Sequence, residues 1–242
     1  MKALVVVPVF NEAATLGHVF ERILHFNPGH TLVVDDGSTD GSASIIESVR
    51  PCHLIRHETN LGYGRSLIDG FAFAVERGYD LTLTIDCDEQ HEPCLIPRLF
   101  KEIGAADVLS GSRYLEEDPS GDAPPEDRRF INQRITAIVN QITGYGLTDS
   151  FCGFKCYKTA ALARLALDEP GYAMPLQFWI QAWRLGLTVR EIAVPRIYKN
   201  LDRTFGGEMD DPQRRLRHYL GVMRKELERW SMSSSLALIP TI

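Results

Sequence analysis

Three apolar runs within the first ninety positions each end in polar residues, and this repeated arrangement leaves the chain few folds. Ala3-Leu-Val-Val-Val-Pro-Val-Phe10 leads into Asn11 and Glu12, and Thr31-Leu-Val-Val-Asp-Asp36 leads into Gly37-Ser-Thr-Asp-Gly-Ser42. Leu83-Thr-Ile-Asp-Cys-Asp-Glu-Gln-His91 carries two carboxylates spaced i, i+2. Such patterns read as buried strands followed by capped helices. Strands near 3–9, 31–35, 53–57, 80–86, 107–112 and 188–194 alternate with helical patterns near 13–25, 42–49, 64–77, 94–104, 130–143, 157–167 and 175–185. The alternation predicts an α/β fold, with a largely parallel central sheet flanked by helices on both faces. Polar strand ends then converge at the crevice where open α/β sheets bind ligands.

Asp86 and Asp88 can share one cation if the chain turns there, with Gln90 adding a neutral oxygen. Hard oxygen ligands at a strand's carboxyl end suit Mg²⁺ or Mn²⁺ holding a diphosphate. The alternative for such carboxylates is to cap the next helix or sit solvated in a turn.

Six segments occur in a set order: Val7-Pro-Val-Phe-Asn-Glu12, Val34-Asp-Asp-Gly-Ser-Thr-Asp40, Asn60-Leu-Gly-Tyr-Gly64, Asp86-Cys-Asp-Glu-Gln-His91, Gly111-Ser-Arg-Tyr114 and Asp149-Ser-Phe-Cys-Gly-Phe154. In this order the chain resembles family 2 glycosyltransferases over roughly residues 3 to 207, and within them the dolichol-phosphate mannose synthases and related polyprenyl-phosphate glycosyltransferases. The resemblance implies the nucleotide-sugar-binding A-type glycosyltransferase fold in residues 1–207, while the spacing of apolar residues makes 208–242 an amphipathic C-terminal helix and tail. It further implies an inverting transfer of a hexose, mannose or glucose, from a GDP- or UDP-hexose to a polyprenyl phosphate. The other readings are transfer to a glycan or small-molecule hydroxyl, and a catalytically silent nucleotide-sugar-binding protein.

The resemblance also assigns roles. Pro8, Phe10 and Glu12 form a nucleotide wall, Asp35 with Asp36 nearby reads base or ribose, and Asp86, Asp88 and Gln90 hold the cation. Taken alone, Phe10 reads as core, Glu12 as a helix-start residue, and Asp35 or Asp36 as a turn cap. Arg113, Arg128, Arg129 and Arg203 bring guanidinium forks suited to phosphate oxygens, although singly each reads as a solvated surface residue. Relatives often carry Glu where Gln177 falls, and Gln cannot take a proton. An ionised polyprenyl phosphate needs no base, whereas a hydroxyl acceptor makes Asp149 the candidate base; its other reading is a buried hydrogen-bond anchor.

Composition is compatible with this. A chain of 242 residues with 44% apolar content can bury a full core, and a net charge of -6 argues against nucleic-acid binding. Five cysteines without a paired framework point to a reducing, cytoplasmic setting. No signal peptide and no run of roughly 20 apolar residues is evident, so any membrane contact is expected to be peripheral, at the inner face. Residues 212–230 place Leu216, Tyr219, Leu220, Met223, Leu227 and Trp230 at helical spacing among basic residues. That stripe suits an anionic membrane, the chain's own core or a second subunit. The segment 115–127, rich in charge, Pro and Gly, reads as a mobile loop.

Overall fold

The structure, a computed structural model, describes residues 1–27, 29–49, 53–117, 121–199 and 204–240. Its elements run β1 (Ala3–Val9), α1 (Leu16–Phe26), β2 (Thr31–Asp35), α2 (Ser42–Val49), β3 (His53–Arg56), α3 (Tyr63–Glu76), β4 (Leu81–Thr84), α4 (Ile96–Glu102), β5 (Val108–Ser112), α5 (Glu126–Thr143), β6 (Lys155–Lys158), α6 (Thr159–Leu162), α7 (Met174–Arg184), β7 (Val189–Ala193), α8 (Pro212–Arg229) and α9 (Ser233–Leu236).

Among the described residues the strands form one sheet, ordered β3-β2-β1-β4-β6-β5-β7. All pairings are parallel except those of β6, which runs antiparallel to both β4 and β5. The near-continuous valine and leucine runs of β1 and β2 follow from burial on both faces. Val5, Val7, Val9 and Val33 pack with α1, α2 and α4, while Leu4, Val6, Leu32 and Val34 pack toward α3. On that second face α5, α7 and α8 join α3 in a shared cluster that includes the fully buried Trp179.

Two expectations change, and a third, left open among three readings, narrows to one. The helix expected at 157–167 begins instead with β6, whose four residues are too short for alternation to announce a strand. Cys156 pairs with Leu83 on one side and Leu109 on the other, so β6 closes the gap between β4 and β5. The segment expected to be a loop through 127 already contains the start of α5, where Glu126 and Asp127 follow Pro125 and suit the positive end of the helix dipole. Finally, the apolar stripe of α8 faces the chain's own core: Leu216, Tyr219, Leu220, Met223 and Leu227 are buried with residues of α5 and α7.

A polar clamp reinforces that packing. Buried Glu226 of α8 accepts hydrogen bonds from Gln177 (2.8 Å) and Gln181 (2.8 Å) of α7 and from Trp230. Gln177 also accepts from the backbone of Asp168 and Glu169, so it is committed to structure and lies outside the cavity described below. Its identity therefore carries no information about the acceptor. Because Met223 is fully buried beneath α8, Met223→Ala is expected to cost about 2–5 kcal/mol. Urea unfolding checks this; unchanged stability would mean that α8 is not part of the core.

Candidate active site

One cavity of about 890 Å³ opens where the carboxyl ends of β1, β2 and β4 meet the N-terminal turns of α3, α5 and α8. Pro8, Phe10, Glu12, Asp36, Asp86, Asp88, Gln90, Arg113 and Arg128 line it. The structure thus brings together most of the residues singled out from sequence. Arg203 lies outside the described residues. Asp35 is only 1% exposed and does not line the cavity; its carboxylate accepts from Arg56 Nε (3.1 Å) and from the backbone of Ser38 (3.0 Å). The turn-anchoring role fits Asp35. Arg129 is exposed on α5 and absent from the lining, so of the adjacent pair only Arg128 reaches the cavity.

Asp36 organises the neighbouring loop. Its oxygens accept from the backbone N–H groups of Leu61 and Gly62, each at 2.8 Å, and one also meets His57 Nδ1 at 2.6 Å. His57 Nε2 reaches Asp69 of α3 at 3.0 Å. Gly62 sits at φ +107°, and a Cβ there would lie 2.3 Å from the Pro170 carbonyl oxygen, so both conformation and space require glycine. The tether delivers Tyr63, the first residue of α3, to the acidic motif: its hydroxyl donates to Asp86 Oδ1 at 3.0 Å.

The acidic motif bends as expected after β4, with Glu89 at φ +62°. Asp88 Oδ1 accepts from the Gln90 backbone N–H (3.1 Å), while Asp86 Oδ2 accepts from His91 Nε2 (3.2 Å). Partial burial acts to raise the Asp86 pKa, but the hydrogen bonds from His91 and Tyr63 hold it below the usual carboxylate range. Burial, together with Asp86, pushes the Tyr63 phenol well above its ordinary value, so it remains a donor. A Cβ on Gly153 would meet Asp86 Oδ2 at 2.3 Å and the Tyr63 hydroxyl at 2.9 Å. Only glycine at 153 therefore lets the carboxylate sit this close to the backbone.

This arrangement fits a hard divalent cation. Among the described residues no three His, Cys, Asp or Glu side chains converge into a cage. Two carboxylates and an amide on one cavity wall match the manner in which Mg²⁺ is commonly held, with substrate phosphates and water completing its coordination.

The same cavity is also lined by the cationic side chains of Arg113, Arg128 and Arg215. Arg113 donates to Asp149 through Nε (2.7 Å) and Nη2 (3.0 Å), and through Nη1 to the Tyr198 hydroxyl (3.1 Å). Asp149, fully buried, also accepts from Asn132 (2.8 Å) and from the Phe151 backbone (3.1 Å). Burial works against ionisation, yet Arg113 and these donors lower its carboxyl to about 2. A carboxylate so occupied and so acidic makes a poor proton acceptor, and the anchoring role replaces the general-base reading of Asp149.

Sequence reasoning missed Tyr172, Tyr198, Phe205 and Arg215 of the cavity lining. Tyr63 and Tyr172 stack at 5.5 Å, Tyr172 meets Phe205 edge-on at 5.2 Å, and the guanidiniums of Arg128 and Arg215 lie over Phe205 at 4.9 and 4.4 Å. Arg215 also pairs with Asp127 and donates to the Met209 carbonyl, joining α8 to the first turn of α5. The α8 stripe signalled only packing, so a cavity cation hidden within it had no separate signature.

Two outcomes follow from this geometry. Gly153→Ala should push the Asp86 carboxylate aside and weaken Mn²⁺-dependent nucleotide binding at least tenfold in a folded protein, as read by calorimetry; wild-type affinity would remove Asp86 from the site. Asp149→Asn leaves the Arg113 charge buried without its partner and should cost about 3–5 kcal/mol at pH 7. The sign with pH is fixed by the lowered carboxyl: its contribution is present above the unfolded value near 3.9 and is lost as pH falls toward about 2. The stability gap between wild type and Asp149→Asn should therefore narrow on acidification, and a constant gap in urea unfolding would contradict the ionised pair.

Known proteins share this fold and much of this sequence. Over 211 residues the chain is 29% identical to undecaprenyl-phosphate mannosyltransferase of Micrococcus luteus, covering 83% of this chain and 86% of that protein. It is 28% identical to polyprenol monophosphomannose synthase of Mycolicibacterium smegmatis, covering 80% and 76%. The crystal structure of glucosyl-3-phosphoglycerate synthase from Mycobacterium tuberculosis with Mn²⁺, uridine-diphosphate-glucose and phosphoglyceric acid superposes with a TM-score of 0.70 at 19% identity, over 93% of this chain and 79% of that one, a likeness of fold. The model of the family described as glycosyl transferase family 2 matches residues 4–166, and the chain belongs to that family.

Proposed function

We propose that this protein is an inverting glycosyltransferase that moves a hexose, mannose or glucose, from a GDP- or UDP-hexose to a polyprenyl phosphate, using Mg²⁺ or Mn²⁺. The observation that carries the reading is one cavity lined both by Asp86, Asp88 and Gln90 and by Arg113, Arg128 and Arg215. Carboxylates suit a cation on the donor diphosphate, while guanidiniums suit a second, anionic reactant. Relatives named for undecaprenyl-phosphate, polyprenol and dolichyl-phosphate transfer support a lipid phosphate as that reactant.

A phosphate oxygen forms the new bond to the anomeric carbon as the bond to the diphosphate breaks, and the leaving nucleoside diphosphate takes the electron pair. An ionised phosphate has no proton to lose, which agrees with the occupied state of Asp149. Asp86, Asp88 and Gln90 would hold the cation, which when bound would supply Lewis-acid stabilisation of charge on the departing diphosphate. Phe10, 43% exposed beside Pro8 and Glu12, offers a flat apolar face for base or ribose. Arg113, fixed by Asp149, holds the acceptor phosphate without reorganising.

Among the described residues no helix is long and apolar enough to cross a membrane. With the apolar stripe of α8 buried in the core, its exposed residues include Arg214, Arg217 and Lys225; on α5, Phe130 is 56% exposed beside Arg129. Asp127 and Arg215 link these two helices next to the cavity. We assign peripheral contact with an anionic membrane to this surface, consistent with a cytoplasmic protein working at the inner face.

A screen of GDP- and UDP-hexoses with Mn²⁺ and a short polyprenyl phosphate should yield a hexosyl polyprenyl phosphate, detected by its mass. Asp88→Ala should abolish Mn²⁺-dependent donor binding in a folded protein; unchanged affinity would reject the cation site. Binding to anionic liposomes should fall as salt rises and should weaken when Arg214, Arg217 and Lys225 are replaced together by Gln, and equal binding by that variant would move the membrane contact elsewhere.

A further inference from the structure

We infer that His91 and Tyr63 together are positioning residues that aim the first carboxylate of the acidic motif at the cation; the inference rests on the cation site proposed above. The two come from different segments and take different oxygens of Asp86: the Tyr63 hydroxyl donates to Oδ1 at 3.0 Å and His91 Nε2 to Oδ2 at 3.2 Å. An ionised carboxylate has about four lone-pair sites, so one donor on each oxygen fixes the plane of the group and leaves each oxygen able to accept again.

The His91 ring is held for this one contact. It is 6% exposed, lies against Phe154 at a centroid distance of 5.3 Å, and its Nδ1 is the one buried side-chain polar atom among the described residues without a hydrogen-bond partner. Since an ionised carboxylate only accepts, Nε2 must be the donor, which fixes the role of that nitrogen. A buried ring nitrogen left unpaired is unfavourable for stability, and folds seldom retain one without a use for the rest of the group. The other side of the clamp is equally built. Tyr63 is delivered by the loop that Asp36 tethers, and the missing Cβ at Gly153 makes the room in which the Asp86 carboxylate and the Tyr63 hydroxyl meet.

Donors behind a ligating carboxylate typically change metal affinity by about 10–100-fold when removed. Tyr63→Phe deletes a single oxygen, and His91→Phe keeps a ring against Phe154 while deleting the donor. The measurement is Mn²⁺ affinity by calorimetry in the presence of GDP or UDP, whichever the wild type binds, alongside nucleotide affinity without metal and the melting temperature. Each variant should bind Mn²⁺ at least tenfold more weakly, with metal-free nucleotide affinity preserved, and His91→Gln should recover part of the loss because its amide can donate in the same direction. Should His91→Phe fail to fold, Tyr63→Phe decides the question alone. Wild-type Mn²⁺ affinity in folded Tyr63→Phe and His91→Phe, together with loss in Asp88→Ala, would overturn the clamp and leave the cation site standing. Unchanged affinity in Asp88→Ala would overturn the cation site and the clamp with it.

Discussion

The buried ion pair between Arg113 and Asp149 is the interaction on which the cationic half of the cavity depends. Arg113 leaves the end of β5 with its side chain only 11% exposed, and a guanidinium at that depth persists only with a carboxylate to match its fork. Asp149 supplies the match, and Asn132 and Phe151 satisfy its remaining capacity. Burial acts to lower the Arg113 pKa, but Asp149 outweighs it and keeps the group firmly charged. The cost of the pair brings a fixed positive charge to the cavity that the acidic motif also lines. Asp149 is spent in making it, which is why the site is better suited to an acceptor that is already an anion.

A second feature balances the first on the acidic wall. Asp86 is flanked by the buried cation Lys155, whose ammonium donates to the Cys152 carbonyl and whose affinity for its proton is lowered by burial. Tyr63, His91 and Gly153 shape the space around the carboxylate. The two groups of residues are therefore held for different reasons, one through a buried ion pair and the other through side-chain donors and the close approach that glycine at 153 allows.

Much of this was legible in the chain. The valine-rich runs of β1 and β2 announced strands buried on both faces, and the polar residues after β1, β2 and β4 announced the cavity edge. Long-range choices were hidden. Nothing local separates Asp35 from Asp36, or Arg128 from Arg129; a single step along a strand end or a helix turns one side chain toward the cavity and the other away. The four residues of β6 were too few to show a period, and their place between β4 and β5 is decided by pairing across more than forty positions. Arg215 was concealed because its helix reads as an amphipathic surface whose basic residues all look solvated. Only the tertiary contact with Asp127 and Phe205 marks it out.

In the proposed reaction the acceptor brings its own charge, and no protein carboxylate removes a proton from it. The most direct test offers the enzyme, with Mn²⁺ and its preferred nucleotide hexose, a short polyprenyl phosphate and the corresponding polyprenol side by side, and measures each glycosylated product by mass. Product is expected from the phosphate alone. Efficient transfer to the polyprenol, with none to the phosphate, would contradict it.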